Sequence, residues 1–479
     1  MQIYNSLTKK KEDFVPLEGK TVRMYTCGVT VYDQCHIGHA RSLYVFDVIR
    51  RYLKFRGYDV HFVRNITDVD DKIIAKALET NRTSQQVSDE QIASYDEDMK
   101  LLGLEPGDVE PRATQNIPDM IADIRGLMEK GYAYAVGGPA SPAGGDVYFN
   151  VHAFKDYGKL SGQGIDKMME AVRIEKDSGK KDPLDFALWK SSKPGEPAWD
   201  SPWGRGRPGW HIECSCMSMK HLKTQTLDIH AGGRDLIFPH HENEIAQSEA
   251  LTGKTFAKYW IHHGLLTIDG HKMSKSSGNF ITIRDAVVQY SADELKLFFL
   301  FSHYASTIDF TGEKMQEARK ALGRFDILFW KASELLKDKD VEPCQDGPAC
   351  RQAGFITAHK EEFLKAMDDD FNTPKAMAAL FNLLNDTNKF IDENKKDLHY
   401  LGVIYHAVDI LENFARNIFG LFLKEKEKPL SQDLKKLLDE RLAARAAKDF
   451  KRSDRLRDLL KDKGIAVEDT QAGQTWRWI

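Results

Sequence analysis

Residues 24–49 read MYTCGVTVYDQCHIGHARSLYVFDVI. The first ten, MYTCGVTVYD, are β-branched and alternating, which predicts a strand ending in a turn. Further on, Leu43, Val45, Phe46, Ile49 and Leu53 recur at helical spacing, so a helix follows. A strand feeding a helix through a short turn is the building unit of a parallel α/β sheet. His36 and His39 fall at that junction, where the first N–H groups of a helix lack partners and its dipole favours anions. Two histidines that merely cap a helix would produce the same turn.

The chain has 479 residues, room for roughly three domains. A net charge of −4 announces neither nucleic acid nor membrane, so any RNA contact must be a local patch. No run approaches the ~20 apolar residues of a membrane span. The opening MQIYNSLTKKKEDFVP lacks the apolar stretch of a signal peptide. The six cysteines, at 27, 35, 214, 216, 344 and 350, do not resemble a disulfide framework. A cytoplasmic location is expected.

From residue 21 to about 115, strand-like runs such as TVRMYTCGVTV and YDVHFVRNIT alternate with helical ones. Between about 118 and 207 the texture changes. GGPASPAGG (137–145) and SSKPGEPAWDSPWGRGRPG (191–209) are loop-rich and mark an insertion. The α/β texture returns with TLDIHAGGRDLIF (226–238) and turns helical after about 312. Three domains are expected: an α/β domain over 1–312 carrying the insertion, a helical bundle over 313–425, and a small mixed α/β domain over 426–479. The last of these is expected to pair one long charged helix with a strand-rich tail.

A second motif, HKMSKSSGN (271–279), places two lysines among hydroxyls and an amide. A solvated loop would look similar. Such a loop is also suited to grip polyphosphate, with lysines as mobile point charges and Ser/Asn as hydrogen-bonding groups. The pairing of HIGH with a distant KMSKS resembles the class I aminoacyl-tRNA synthetases. That resemblance implies a Rossmann-like catalytic domain in which His36, His39, Lys272 and Lys275 contact ATP phosphates. Gly38 would let adenine lie close to the backbone, and Mg²⁺ would accompany ATP.

Four stretches narrow the resemblance: TCGVTVYDQCHIGHAR, NITDVDDKII (65–74), PGWHIECSCM (208–217) and FPHHENEIAQ (238–247). With the tail RAAKDFKRSDRLRDLLKDKGI, they are similar to the cysteinyl-tRNA synthetase family over nearly the entire chain. The resemblance implies one zinc ion held by Cys27, Cys214, His240 and Glu244. It also implies that Trp210 closes over the bound cysteine, and that Thr67 holds the amino or carboxylate end of the substrate.

Spacing alone is less decisive. His240 and Glu244 stand four apart and would share a helical face, but His241 and Glu244 form an i,i+3 pair as well. On a helix Cys216 would lie about 200° around from Cys214 and miss the metal. Cys35, Cys344 and Cys350 receive no role. Zinc has a chemical rationale: it prefers thiolate to a nearly isosteric hydroxyl, so one strong contact separates cysteine from serine without an editing domain.

The partners so implied are L-cysteine, ATP and cysteine tRNA, with no membrane, for a monomer. Residues 431–463 hold 11 Lys/Arg against 7 Asp/Glu. With Trp476 and Trp478 beyond them, they suit anticodon contact and stacking. Three rivals share parts of the pattern. A ligase joining cysteine to an amino sugar would have no use for the basic tail. A nucleotidylyltransferase would leave the zinc quartet unexplained. A silent zinc- and RNA-binding module would not need both phosphate motifs.

Overall fold

A computed structural model describes residues 1–137, 145–164, 179–274, 278–337, 339, 341, 354–394, 400–422, 432–470 and 473–478. Lys275, Cys344 and Cys350 lie outside the described residues.

The central elements are β1 (Thr21–Thr26), α1 (Ile37–Phe55), β2 (Asp59–Arg64), α2 (Trp210–Leu222), β3 (Leu227–Gly233), α3 (Glu242–Thr252) and β4 (Ala257–His263). The strands form an all-parallel sheet in the order β4-β3-β1-β2. Every residue of β3 is buried, as expected of a parallel strand covered on both faces. Cys214 and Leu222 of α2 and Ile245 of α3 pack with Tyr25, Val63, Leu227 and Trp260 of the strands. A smaller sheet follows: β5 (Leu266–Ile268) lies between β6 (His271–Lys272) and β7 (Ile308–Phe310).

The insertion is a helix, Ile117–Glu129, and a four-stranded antiparallel sheet of Ala133–Gly137, Gly145–Phe149, Phe186–Ser191 and Gly206–Pro208. Its core of Met120, Leu127, Phe149 and Trp189 also takes in Ile212, Cys216 and Met217 of α2. That helix therefore serves two cores, with Cys214 in one and Cys216 in the other. A parallel α/β core with an insertion, followed by a helical C-terminal part, is the fold class expected from sequence; that the insertion is an antiparallel sheet is added by the structure.

The chain divides into two compact units: one of 1–318, 356–382 and 413–421, the other of 319–355, 383–412 and 422–479. The second unit holds helical segments joined by polar pairs such as Arg324 Nη2 to Asn385 Oδ1 (2.6 Å). The long charged helix expected near the C-terminus is two helices, Gln432–Ala446 and Phe450–Asp462. Between them Lys448 adopts φ of +60°, a left-handed conformation that ends the first helix. The hairpin Ile465–Thr470 and Gly473–Trp478 follows, and Ile465 and Val467 pack on Leu438 and Leu460. Arg441, fully buried, donates to Asp469 and Gln474. The side chains of Trp476 and Trp478 lie outside the described residues. Among the described residues no helix is long and apolar enough to cross a membrane.

Candidate active site with a metal-binding group

The first unit contains a cleft of about 570 Å³ whose wall includes Cys27, His36, His39, Trp210, Asp235 and Lys272. It opens beyond the carboxyl ends of β1 and β3, where ligands of open α/β sheets bind.

On its wall stands the turn before α1. His36 is the N-cap, and the two histidines cap each other: His39 N–H donates to His36 Nδ1 and His36 N–H to His39 Nδ1, both at 3.2 Å. The rings stack at 3.7 Å, 10° apart. Because each Nδ1 accepts, each Nε2 carries the proton and remains a donor. Burial lowers the His36 pKa to about 4. Burial, then the charges of His36 and Lys72, lower that of His39 to about 3. Both are neutral donors at physiological pH. Gly38 is required by this stack, since a Cβ there would lie 2.9 Å from His36 Cε1.

The lysine-serine stretch begins at the end of β6. Lys272 is exposed. Asn279 ties the ends of the stretch together, accepting from Ser274 N–H at 2.9 Å and donating to the Lys272 carbonyl at 3.2 Å. The segment after it pairs with the His36 turn: Ile37 N–H donates to Ile281 O (3.1 Å) and Ile283 N–H to Cys35 O (2.9 Å). Two motifs far apart in sequence thus share one strip of backbone.

Cys27, also on the cleft wall, belongs to a buried cluster of metal-binding groups. Cys27 follows β1, Cys214 lies in α2, Glu244 in α3, and His240 in the irregular turn Ile237–His241 just before α3. One ligand atom from each lies within 4.8 Å of the other three. His240 Nε2 is 3.0 Å from Glu244 Oε1, and Cys27 Sγ is 3.4 Å from the same oxygen. Gly28 makes the approach of β1 possible, because a Cβ there would sit 1.6 Å from the Asn65 carbonyl oxygen.

The charges inside this cluster suit a cation. Burial raises the Cys27 thiol. Burial also acts upward on Cys214, but its hydrogen bond with Cys27 and the charge of His240 outweigh that and bring it to about 6. Glu244 is held well below the usual carboxylate range because His230 and His240 outweigh burial. Burial acts downward on His240, but the charges of Glu244 and Cys214 outweigh it and raise it to about 10, so without a metal this histidine is the cation of the cluster. Once it gives up that proton, two sulfurs, an imidazole and a carboxylate, all but Cys27 at most 1% exposed, are the donor types that zinc takes.

Sequence reasoning missed the histidines behind this group. His230 of β3 meets Glu244 Oε2 at 2.7 Å, His211 meets His240 Nδ1 at 2.8 Å, and His262 of β4 meets His241 Nδ1 at 2.8 Å. A second quartet, Cys27, His230, His241 and Glu244, satisfies the same 4.8 Å limit. The choice between His240 and His241 that spacing left open therefore remains two-sided in geometry, and the second thiol belongs only to the His240 set. For His230 and His262 the strands TLDIHAGG and KYWIHH carried a signal, histidines inside largely apolar runs.

Trp210 is 38% exposed, so it is not a core residue, and it stacks on His240 at 4.1 Å. Thr67 is buried. Its hydroxyl donates to Glu213 Oε2 (2.8 Å) and accepts from Asn65 Nδ2 (3.2 Å). Cys216, buried, packs in the insertion's core. Burial, then the charge of Asp123 and a hydrogen bond to it, drive its thiol far upward.

Comparisons with known proteins place the chain in a family. Residues 13–320 match the family model for the tRNA synthetases class I (C) catalytic domain, 362–424 the DALR domain, and 427–477 the cysteinyl-tRNA ligase anticodon binding domain. Cysteine–tRNA ligases of Sulfurihydrogenibium sp. and Aquifex aeolicus are 48% and 47% identical, covering 100% of this chain and 99% of each relative. In fold, the chain is similar to a Mycobacterium tuberculosis methionyl-tRNA synthetase in complex with methionyl-adenylate. The TM-score is 0.66 at 16% identity, over 84% of this chain and 92% of that one. The chain belongs to the class I cysteine–tRNA ligase family.

Proposed function

We propose that the cleft activates L-cysteine with ATP·Mg²⁺ and passes it to cysteine tRNA. In the first step a carboxylate oxygen of cysteine attacks the α-phosphorus, the bond to the β-phosphate oxygen breaks, and pyrophosphate leaves. In the second, the terminal adenosine hydroxyl of the tRNA attacks the carbonyl carbon, and AMP leaves. No group of the protein becomes covalently attached to substrate. The chain positions reactants and answers charge as it develops. His36 and His39 present neutral Nε2–H donors to the phosphates. Lys272, and Lys275 beyond the described residues, supply the positive charge for departing pyrophosphate.

Cys27, Cys214, His240 and Glu244 would hold one zinc ion. Bound there, zinc supplies a soft Lewis acid that takes a thiol as thiolate and has little affinity for a hydroxyl. Trp210, flat on His240 at the cleft wall, is suited to cover a small side chain there. Thr67 reads as a support, because its hydroxyl is already committed to Glu213. On this reading 1–312 carries adenylate formation, 313–425 supports tRNA, and 426–479 reads the anticodon. The protein works as a cytoplasmic monomer.

One observation carries this reading: four groups with zinc-ligand chemistry meet within 4.8 Å of one another, one of them, Cys27, on the wall of the cleft that the two histidines of the phosphate turn also line. Cysteine-dependent ATP–pyrophosphate exchange with matched metal analysis tests it. One zinc per chain and exchange with cysteine but not serine are expected. A metal-free enzyme with full exchange would contradict it.

A further inference from the structure

Arg41 lies in α1, two residues beyond His39, and is 1% exposed. Among the described residues its guanidinium binds only main-chain carbonyls. Nη1 donates to Gly264 O (2.8 Å) and Leu265 O (2.6 Å), and Nη2 to Tyr304 O (3.1 Å) and Ser306 O. Among the described residues no carboxylate accepts from it. Burial, and then the neighbouring Arg234, lower its pKa to about 10, so it stays charged at neutral pH.

The four carbonyls belong to two segments. Gly264–Leu265 leads into β5, and 304–306 leads toward β7. Strand β5 pairs with β7 on one side and with β6, which bears Lys272, on the other. Two of the carbonyls already have backbone partners, since Gly264 N–H donates to Tyr304 O (2.9 Å) and Ile308 N–H to Leu265 O (3.0 Å). Satisfying them therefore does not require a buried cation. Burying an unpaired cation is costly, which points to a use for the charge or the fork geometry. Arg41 also lines the cleft. Past the lysine stretch, the chain is tied back to the His36 turn through the Cys35–Ile37 and Ile281–Ile283 hydrogen bonds described above.

We propose that Arg41 is a positioning residue for adenylate formation. It anchors the entry to the Lys272 segment on the helix that carries His36 and His39, and its unneutralised charge favours a triphosphate in the cleft. The backbone bridge anchors the exit, so both ends of the lysine stretch are referenced to one helix. Displacing a catalytic group by about 1 Å can cost on the order of 10² in rate. A fork that spans two segments is what guanidinium provides and an ammonium does not.

This rests on reading the cleft as the ATP site, and the test separates the two. Arg41→Lys and Arg41→Met, in the full-length zinc-loaded enzyme, are compared with wild type in cysteine-dependent ATP–pyrophosphate exchange. Cysteine binding is followed separately by the thiolate-to-metal band of the cobalt-substituted forms, and folding by thermal melting. Arg41→Lys should lose about 10²-fold in kcat with ATP KM nearly unchanged, and Arg41→Met should lose kcat and raise ATP KM about tenfold. Both should bind cysteine as wild type does. If both exchange normally, if the loss falls equally on cysteine binding, or if neither variant folds, the positioning role is wrong. If wild type itself shows no cysteine-dependent exchange, the ATP-site reading fails first.

Discussion

In the metal-binding cluster Cys214, His240 and Glu244 are at most 1% exposed, fixed by a helix, a turn and a helix packed on a parallel sheet. In the phosphate motifs Lys272 is exposed at the end of a two-residue strand, and only His36 and His39 are held by a long helix. The buried cluster has several groups whose proton affinities are moved by one another, so its chemistry is set before any substrate arrives. The exposed motif has charge on a short hairpin, suited to a group whose charge grows and then leaves. On the proposed reading, selection of the amino acid uses the rigid site with preset charge, and handling of pyrophosphate uses the exposed charge.

The comparison breaks most visibly at the lysines. Lys272→Ala should slow exchange by about 10²–10³-fold, the usual cost of one contact to developing charge, while cysteine binding stays as in wild type. Single-turnover exchange measures it; a normal rate with only a raised cysteine KM would assign Lys272 to cysteine binding instead.

Removing the chain after about residue 425 should spare exchange to within a few fold and cut tRNA charging by more than tenfold, since every described group of the cleft belongs to the first compact unit. A soluble truncated enzyme that charges tRNA normally would show that the basic helices and hairpin do not read RNA.

The smallest effect is an expected constancy. His36 and His39 gain protons only near pH 4 and 3, so both stay neutral from pH 6 to 8. The ATP KM of wild type should vary less than about twofold over that range. A KM that falls as pH drops through about 6.5 would mean that a histidine serves ATP as a cation.

The strand–turn–helix at 24–49 was legible because strand alternation, helical spacing and the turn histidines agree over one continuous stretch. The separation of Cys214 from Cys216 was legible too, because helical geometry alone puts them in different surroundings, and they lie in different cores. The histidine layer was not. His211, His230 and His262 come from a helix and two strands far apart in sequence, and only the sheet order brings them behind Glu244 and its neighbours. Arg41 was equally hidden, since its four acceptors are main-chain atoms that no side-chain pattern reports. The long C-terminal helix was misread because Lys448 takes a left-handed conformation with no glycine to mark it.

The central claim is that Cys214, with Cys27, His240 and Glu244, forms the metal site that admits cysteine. Cobalt-substituted wild type, Cys214→Ser and Cys216→Ser, each titrated with cysteine and with serine, test it most directly. Cysteine should intensify the thiolate-to-cobalt band in wild type and Cys216→Ser, and serine should leave it unchanged. Cys214→Ser should retain metal poorly, by more than the roughly 10–100-fold lost when only an outer partner is removed. Metal lost from Cys216→Ser but kept by Cys214→Ser, or a band indifferent to cysteine in wild type, would contradict it.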